Sequence, residues 1–307
     1  VATGSAPFVP PFEGLDTVEK KFSFMTLDDT FALEKAINKD SNVLIVGAGL
    51  IGLKCAEGLH ERVKSITVCD LADRVLSSIL DTDCAAIVQR HLEANGIQFL
   101  LGDTAVRFEK NLAQMKSGKT VEFDTLVLAV GVRANTTLIK DIGGEVNRGI
   151  LVNDRMETSL ESIYAAGDCT EGNDISLGQK RVLALLPNAY MQGHTAGVNM
   201  AGGNEVFGKA IPMNSIGFFG LHIMTAGTYE GEMYEEKSDS TLKRLFTKDG
   251  LLKGFILIGK TERAGIYTSL IRERTPLDTI DFETMKKVAT SVAFSPENRR
   301  KKFGGVV

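Results

Sequence analysis

The sequence has no long apolar run, few cysteines and no surplus of basic residues. None of its hydrophobic segments approaches the roughly 20 residues that a helix needs to cross a bilayer, so we expect no membrane partner. The N-terminus lacks the charged and then apolar layout of a secretory signal. The formal net charge of −4 leaves no cationic excess for nucleic-acid phosphates. These absences predict a soluble protein that does not bind nucleic acid.

The four cysteines lie far apart, and no C-x-x-C pair occurs among them. This usage is typical of reduced thiols, and it predicts a cytoplasmic location. We interpret Cys55, Cys69, Cys84 and Cys169 as buried, small apolar residues. The four histidines show no H-x-x-x-H or mixed His/Cys ligand spacing, so the sequence predicts no metal site.

The stretch SNVLIVGAGLIGLKCAEGL, residues 41–59, combines a strand pattern, a glycine-rich turn and a helix pattern. Residues 43–46 form a short apolar, β-branched run that is typical of a buried parallel strand. Gly47, Gly49 and Gly52 follow directly in G-x-G-x-x-G spacing. Apolar positions then recur at helical spacing up to Leu59. The pattern predicts a helix whose N-terminus faces the glycine turn.

This turn is a candidate site for the pyrophosphate of a dinucleotide. Glycines let an anion approach the backbone closely, and the unpaired N–H groups of a helix N-terminus attract it. The candidate binding residues are Gly47, Gly49, Leu50, Ile51 and Gly52. The alternative interpretation is a glycine turn with a purely structural role.

A second predicted strand, SITVCD, ends at Asp70, about 20 residues beyond the glycines, where this motif requires an acid. A carboxylate there accepts hydrogen bonds from the adenosine ribose hydroxyls of NAD and repels the 2′-phosphate of NADP. Arg74, just past the strand, is a cation that favours a phosphate instead. We therefore expect NAD(H) to be favoured over NADP(H), with Arg74 as a further candidate contact.

The strand and helix patterns continue beyond this point. Residues 81–96 are typical of a helix, residues 97–102 of a strand, and residues 104–123 of an antiparallel insertion. The buried strand pattern of residues 125–132 includes Gly131. These elements predict a Rossmann-like α/β domain over residues 41–134. Gly131 then lies at the C-terminal edge of the sheet, where ligands of open α/β folds bind, and is a candidate neighbour of the nicotinamide.

Four segments, VATGSAPFVPP, VLIVGAGLIGLKCAEGL, LVLAVGVRAN and IYAAGDC, occur in this order along the chain. Together they resemble the FAD-dependent pyridine nucleotide-disulfide oxidoreductase family, especially its NADH oxidases, rubredoxin reductases and nitrite reductase flavin modules. The resemblance implies an NAD-binding domain inserted in a FAD-binding domain. It also implies hydride transfer from NAD(P)H to FAD, and then electron transfer to a small-molecule or redox-protein acceptor.

The resemblance further implies a division into domains. Residues 1–40 and 135–205 form a partial FAD-binding domain, and residues 206–307 form a C-terminal α+β domain suited to a homodimer interface. In this family the A-T-G-S segment follows a βαβ unit that carries its own G-x-G-x-x-G. That unit is absent from this sequence, so we expect a preceding segment or another polypeptide to complete the FAD site. The implied FAD contacts on this chain are Thr3, Gly4, Gly167 and Asp168.

Two positions depart from the family pattern. Lys54 stands where many relatives have a glutamate that faces the nicotinamide. It either holds a phosphate or electron acceptor, or lies on an exposed helix face. Ala134 replaces the proline of a G-x-R-P-N segment. No catalytic residue is assigned, and two other classes of function stay open: a flavin-free NAD-dependent dehydrogenase and a non-enzymatic NAD-binding module.

Overall fold

The computed structural model describes residues 1–303. Within them, the α-helices are α1 (Leu27–Ala36), α2 (Leu50–Leu59), α3 (Thr82–Ala94), α4 (Thr137–Lys140), α5 (Leu186–Met200), α6 (Ala264–Arg272), α7 (Phe282–Lys287) and α8 (Pro296–Phe303). The strands of the first half are β1 (Ser5–Pro7), β2 (Lys21–Phe22), β3 (Asn42–Val46), β4 (Ser65–Asp70), β5 (Ile97–Leu101), β6 (Ala105–Glu109), β7 (Leu112–Met115), β8 (Thr120–Glu122), β9 (Thr125–Leu128) and β10 (Val132–Ala134). Those of the second half are β11 (Ile150–Leu151), β12 (Thr170–Asp174), β13 (Gln179–Arg181), β14 (Met213–Phe218), β15 (Leu221–Gly227), β16 (Glu232–Lys237), β17 (Leu242–Lys248) and β18 (Leu251–Ile258).

The chain divides into two compact units. The first, here called the parallel-sheet unit, comprises Ala6–Arg133 and Ile216–Leu221. The second, here called the flanking unit, comprises Val1–Ser5, Ala134–Ser215 and the chain from His222 onward. No helix among the described residues is long and apolar enough to cross a membrane.

A five-stranded parallel sheet in the order β2-β9-β3-β4-β5 forms the centre of the parallel-sheet unit. Leu44 and Ile45 of β3 are fully buried, as expected for a parallel strand covered on both faces. Val46 pairs with Cys69 of β4 and with Leu128 of β9. The C-terminal ends of these three strands therefore lie side by side. A three-stranded antiparallel sheet, β6-β7-β8, occupies the predicted insertion.

The unit bounds differ from the domain bounds expected from the sequence. Lys21 and Phe22 of β2 pair in parallel with Leu126 and Val127 of β9. This pairing places residues 6–40 with the parallel sheet, although the resemblance assigns them to the flavin side. No unit bound falls between residues 205 and 206, where two of the expected domains meet, because residues 134–215 and the chain from His222 share the flanking unit.

The flanking unit contains most of an antiparallel sheet in the order β14-β15-β18-β17-β16, whereas residues 216–218 of β14 and Leu221 of β15 are assigned to the parallel-sheet unit. Buried residues of β17 and β18, including Leu245 and Phe255, pack in one core with Tyr267 and Leu270 of α6 and Met285 of α7. The alternating strands and the two helices agree with the α+β pattern that the sequence predicts after residue 206. A smaller core includes Ile150, Cys169 and Ala196 of α5.

Candidate functional site

The N-terminus of α2 lies at the end of β3 without a side-chain cap. Gly49 is its N-cap residue, in an extended conformation. Among the described residues, no hydrogen-bond acceptor is present for the backbone N–H groups of Gly49, Leu50 and Ile51. Such N–H groups and the positive end of the helix dipole form an anion site. This geometry suits a pyrophosphate.

The three glycines of the turn have different structural roles. A Cβ on Gly47, whose φ is +116°, would lie 2.3 Å from the Ala129 carbonyl oxygen. A Cβ on Gly52 would lie 2.0 Å from the Gly47 carbonyl oxygen. A Cβ on Gly49 would meet no atom within 4 Å. The first and third glycines are thus required by packing, whereas the second faces open space that a ligand can occupy.

Asp70, the candidate ribose ligand at the end of β4, also contacts the glycine turn. Its Oδ2 accepts a hydrogen bond from the Ala48 N–H at 2.7 Å, and its Oδ1 accepts one from the Ala72 N–H at 2.8 Å. Each carboxylate oxygen has a second lone pair for a ligand hydroxyl. Sequence reasoning missed this bracing of the turn, because the motif specifies the acid only as a ribose contact.

The other two candidates for NAD(P) binding differ in their surroundings. Arg74 forms an ion pair with Asp73 at 2.8 Å and donates from Nε to the Leu80 carbonyl at 3.2 Å. Its guanidinium is thus already engaged by protein groups. Gly131 follows β9 with a φ of +104° and has open space at its Cβ position. It lies beyond the C-terminal end of a strand that neighbours β3.

Lys54 lies on an exposed face of α2, which is one of the two alternatives left open by the sequence, and it also contacts protein groups. It forms an ion pair with Glu57, and its Nζ donates to the Gly217 carbonyl at 3.1 Å. Glu57 in turn accepts a hydrogen bond from the Phe219 N–H at 2.5 Å. Burial acts to raise the pKa of Glu57, but the hydrogen bonds from Lys54 and Phe219 outweigh it, so this pKa lies below its usual value. Lys54 and Glu57 therefore help to hold the end of β14 and the turn that joins it to β15.

The segment at Thr3 and Gly4 is fixed against the residues that follow β10. Thr3 Oγ1 donates to the Asn135 carbonyl at 2.6 Å, and Asn135 Nδ2 donates back to the Thr3 carbonyl at 2.8 Å. The Asn135 N–H donates to the Gly4 carbonyl at 2.9 Å. Gly4 has a φ of +65° and open space at its Cβ position. Ala134, at the end of β10, thus directly precedes a residue that is held by reciprocal hydrogen bonds.

Gly167 and Asp168 form a turn that is held by a buried glutamine of α5. The Gly167 N–H donates to Gln192 Oε1 at 2.8 Å, and Thr170 Oγ1 donates to the Gly167 carbonyl at 2.8 Å. Gln192 and Thr170 are both buried. In the described part of the chain, the Asp168 carboxylate accepts no hydrogen bond from another residue. It is available to the hydroxyl groups of a bound polyol, which fits the ribitol chain of FAD.

The remaining candidate groups do not form a second reactive centre. All four cysteines are buried free thiols, as predicted. Burial raises the pKa of Cys55 and of Cys69 to about 12, so neither thiol is reactive at neutral pH. His194 Nε2 lies 3.3 Å from Glu205 Oε2 on the surface of the flanking unit. Residues 1–303 contain no group of three or more His, Cys, Asp and Glu residues that could hold a metal ion.

Comparison with known proteins identifies the family. The model of the pyridine nucleotide-disulphide oxidoreductase family matches residues 1–193. The chain is 33% identical over 290 residues to the NADH-dependent phenylglyoxylate dehydrogenase subunit epsilon of Aromatoleum evansii, covering 90% of this chain and 68% of that protein. It is 35% identical over 288 residues to an NADH oxidase of Methanocaldococcus jannaschii, covering 84% of this chain and 63% of that protein. An NAD-dependent persulfide reductase from A. fulgidus superposes with a TM-score of 0.84 at 25% identity, covering 96% of this chain and 59% of that structure.

The chain belongs to the pyridine nucleotide-disulphide oxidoreductase family. This confirms the predicted family, the α/β fold with its additional sheet domain, and the assignment to FAD- and NAD(P)H-dependent oxidoreductases. The chain spans about two thirds of the length of the two relatives described above.

Proposed function

We propose that this chain binds NADH at the glycine turn and supplies part of the FAD site of an NADH:acceptor oxidoreductase. The observation that carries the proposal is the uncapped N-terminus of α2, with open space at Gly49 and a carboxylate, Asp70, at the neighbouring strand end. Anion-binding N–H groups beside an acid suit a dinucleotide whose ribose carries free hydroxyls. A simple structural turn does not require the open position at Gly49.

In the proposed reaction, FAD supplies the chemistry of accepting a hydride and passing electrons on. The residues of this chain bind and orient the dinucleotide and the flavin. The α2 N-terminus holds the pyrophosphate of the dinucleotide, and Asp70 accepts from its ribose hydroxyls. Asp168 accepts from the ribitol chain of the flavin, while Gly131 leaves room at the sheet edge. No side chain of this chain is assigned a proton-transfer step.

NADH is the proposed donor rather than NADPH. A carboxylate at the end of β4 disfavours a 2′-phosphate, and Arg74 is engaged by Asp73 and by the Leu80 carbonyl. The names of both relatives described above include NADH. The electron acceptor is proposed only by class, as a small molecule or a redox protein.

The exposed face of α5 supports the proposal that a further segment completes the flavin site. This helix buries polar residues, Asn188, Gln192, Thr195 and Asn199, whereas Leu186, Tyr190 and Met200 are 84%, 78% and 69% exposed. Gly193 and Gly197 lie between these apolar residues along the helix, with open space at their Cβ positions. Soluble helices normally bury their apolar face. We propose that the flavin-pyrophosphate βαβ unit packs on this face in the complete protein.

The proposed assembly is a cytoplasmic homodimer. Four buried free thiols fit a reducing compartment, and the antiparallel sheet of the flanking unit is the candidate dimer surface. Light scattering of the purified complete protein measures its mass, and a monomer at micromolar concentration contradicts the dimer.

Calorimetric titration of the protein with NADH and with NADPH tests the proposed function. We expect NADH to bind at least tenfold more tightly than NADPH. Anaerobic addition of NADH to the flavin-loaded complete protein should then bleach the visible flavin absorbance. Direct reduction of a substrate by NADH without bound flavin would instead support the flavin-free dehydrogenase. Binding of NADH without any electron transfer would support the non-enzymatic module.

A further inference from the structure

The flanking unit contains a cavity of about 510 Å³ that none of the proposed cofactor contacts lines. Its walls come from the ends of β16 and β18, the start of β17, the N-terminus of α6 and the residues that follow α7. A volume of this size is within the range of small-molecule sites. Five basic side chains line it: Lys237, Lys243, Lys260, Arg263 and Lys287. The acidic residues on the same wall are Glu236 and Glu262.

One of the basic residues is a fixed part of the wall. Lys243 Nζ lies 2.6 Å from Glu236 Oε2 and donates to the carbonyls of Lys286 and Lys287 at 2.7 and 2.8 Å. Burial acts to raise the pKa of Glu236, but the hydrogen bonds from Lys243 and Tyr234 outweigh it, so this carboxylate is ionised at neutral pH. Lys243 and Glu236 therefore compensate each other, and the carbonyls at the end of α7 are satisfied.

The other four cations are not compensated in this way. Among the described residues, the side-chain nitrogens of Lys237, Lys260, Arg263 and Lys287 form no ion pair within 4 Å. Glu262 is the second acid of the lining, and Lys260 also interacts electrostatically with Glu236 without forming an ion pair. A concave surface with a low-dielectric floor concentrates the potential of such charges. The cavity therefore presents a positive potential to small ligands.

The N-terminus of α6 adds to this potential. The helix begins after Arg263, which has a φ of 61°, and no side chain caps it. Within residues 1–303, the Gly265 N–H has no backbone or side-chain acceptor. The positive end of the dipole of this nine-residue helix begins at Arg263, which lines the cavity.

The floor of the cavity is apolar. Leu242, Leu257, Tyr267 and Ala289 line it and are at most 6% exposed. The hydroxyl of Tyr267 is already engaged, because it donates to the Met285 carbonyl at 2.8 Å. Such a floor contributes affinity for an apolar body rather than for a bare ion. The cavity thus combines a cationic rim with a hydrophobic base.

We propose that this cavity is a second ligand site, which binds a small organic phosphate ester. The phosphate contacts Lys260, Arg263 and the α6 N-terminus, because a dianion with several acceptor oxygens matches separate ammonium, guanidinium and N–H donors. The organic part lies on the apolar floor. The site is independent of the NADH and FAD contacts proposed above, so it can exist even if that function is wrong.

Calorimetry with a panel of phosphate monoesters tests the proposal, with saturating NADH present to fill the glycine turn. The panel consists of AMP, phenyl phosphate and glycerol phosphate, with inorganic phosphate and adenosine as references. We expect at least one ester to bind at least tenfold more tightly than inorganic phosphate, and adenosine not to bind. The double variant Lys260→Gln, Arg263→Gln should weaken this ester at least tenfold, and its thermal midpoint without ligand should stay unchanged because neither side chain is ion-paired.

Lys180→Gln with Lys209→Gln is the matched control, since both lysines are exposed in the same unit and lie outside the cavity. This control should bind the ester as the unmodified chain does. Should the first double variant unfold, Lys237→Gln with Lys287→Gln serves as the second test and should also weaken the ester tenfold. The proposal would be overturned if the control and the cavity variants lost ester affinity equally, or if no ester bound more tightly than inorganic phosphate.

Discussion

The carboxylate of Asp70, at the end of β4, accepts a hydrogen bond of 2.7 Å from the backbone N–H of Ala48, between the first two glycines of the turn. The acid that selects the ribose therefore also fixes the peptide that precedes the α2 N-terminus. A second hydrogen bond, from Ala72, fixes the carboxylate itself. Loss of Asp70 should consequently affect both the recognition of the ribose and the geometry of the pyrophosphate site.

Substitution of Asp70 tests this double role. Asp70→Asn keeps one oxygen that can accept a hydrogen bond, whereas Asp70→Ser is too short to reproduce both bonds. We expect either change to weaken NADH binding by about 1 to 3 kcal/mol, the scale of a lost charged hydrogen bond. The serine variant should bind NADH more weakly than the asparagine variant does. NADPH should lose less affinity or gain, because the repulsion of its 2′-phosphate is removed.

Calorimetric titration of both dinucleotides into each variant measures these differences. Asp73→Asn is the control, since Asp73 is largely exposed and, within residues 1–303, forms an ion pair with Arg74 alone. Its effect on NADH binding should be small. Equal or tighter binding of NADPH by the unmodified chain would contradict the assignment of Asp70.

Gln192 holds the turn that presents Asp168. Replacement by leucine leaves the Gly167 N–H without its acceptor, and an unsatisfied buried donor costs about 1 to 3 kcal/mol of unfolding free energy. Gln192→Glu keeps the acceptor oxygen and should retain more flavin affinity than Gln192→Leu. Urea unfolding measures the stability of each variant. The visible spectrum of bound flavin in the complete protein reports whether the turn at Gly167 and Asp168 still contacts the flavin in the same way. A normal flavin spectrum and affinity in Gln192→Leu would show that the glutamine has no positioning role.

The sequence predicted the elements around the glycine turn closely, because their signals are local. The apolar run before Gly47 and the helical spacing after Leu50 define β3 and α2 to within a residue. By contrast, β2 has only two residues, Lys21 and Phe22, and its place in the sheet depends on pairing with β9. The contact of Lys54 with the Gly217 carbonyl joins residues that are 163 positions apart. Such long-range contacts have no signature in a single sequence.

The buried thiols should make stability fall in alkaline solution. Burial raises the pKa of Cys55 and of Cys69 to about 12 from an ordinary value of 9.0. Between these values the unfolded chain loses the thiol protons while the native chain keeps them, so rising pH favours unfolding. Each pH unit in this window should lower the unfolding free energy by about 1.4 kcal/mol per thiol. The stabilising contribution is complete below about pH 9.

Urea unfolding at pH 8 and pH 10.5 measures this dependence in the unmodified chain and in the variant Cys55→Ala, Cys69→Ala. The variant should show a shallower loss of stability over the same interval, whatever its stability at pH 8. Parallel slopes for the two proteins would show that these thiols do not contribute. The native thiols should also resist alkylation at pH 8 until the chain is unfolded.

The glycines on the exposed face of α5 provide a test of the proposed covering segment. In the 307-residue chain, Gly197→Leu should be neutral or stabilising by up to about 1 kcal/mol, because leucine has the higher helix propensity and the Cβ position is open. In the complete protein the same change should destabilise, since an added side chain would separate the packed segment from α5. Gly265→Leu in α6, which also has open space at its Cβ position, is the control and should behave alike in both contexts.

Flavin binding should differ between this chain and the complete protein. Among residues 1–303, the uncapped helix N-terminus that carries the glycine motif is assigned to NADH, which leaves Asp168 and the segment at Thr3 and Gly4 to contact FAD. Loss of the pyrophosphate contacts removes several charge-assisted hydrogen bonds, each worth about 1.5 to 3 kcal/mol. We therefore expect weak FAD binding by the 307-residue chain and tight, non-covalent binding by the complete protein. Acid extraction followed by measurement of flavin per mole of protein checks this, and stoichiometric FAD in a sample shown by mass spectrometry to contain only the 307-residue chain would mean that the glycine turn at Gly47 to Gly52 has been assigned to the wrong nucleotide.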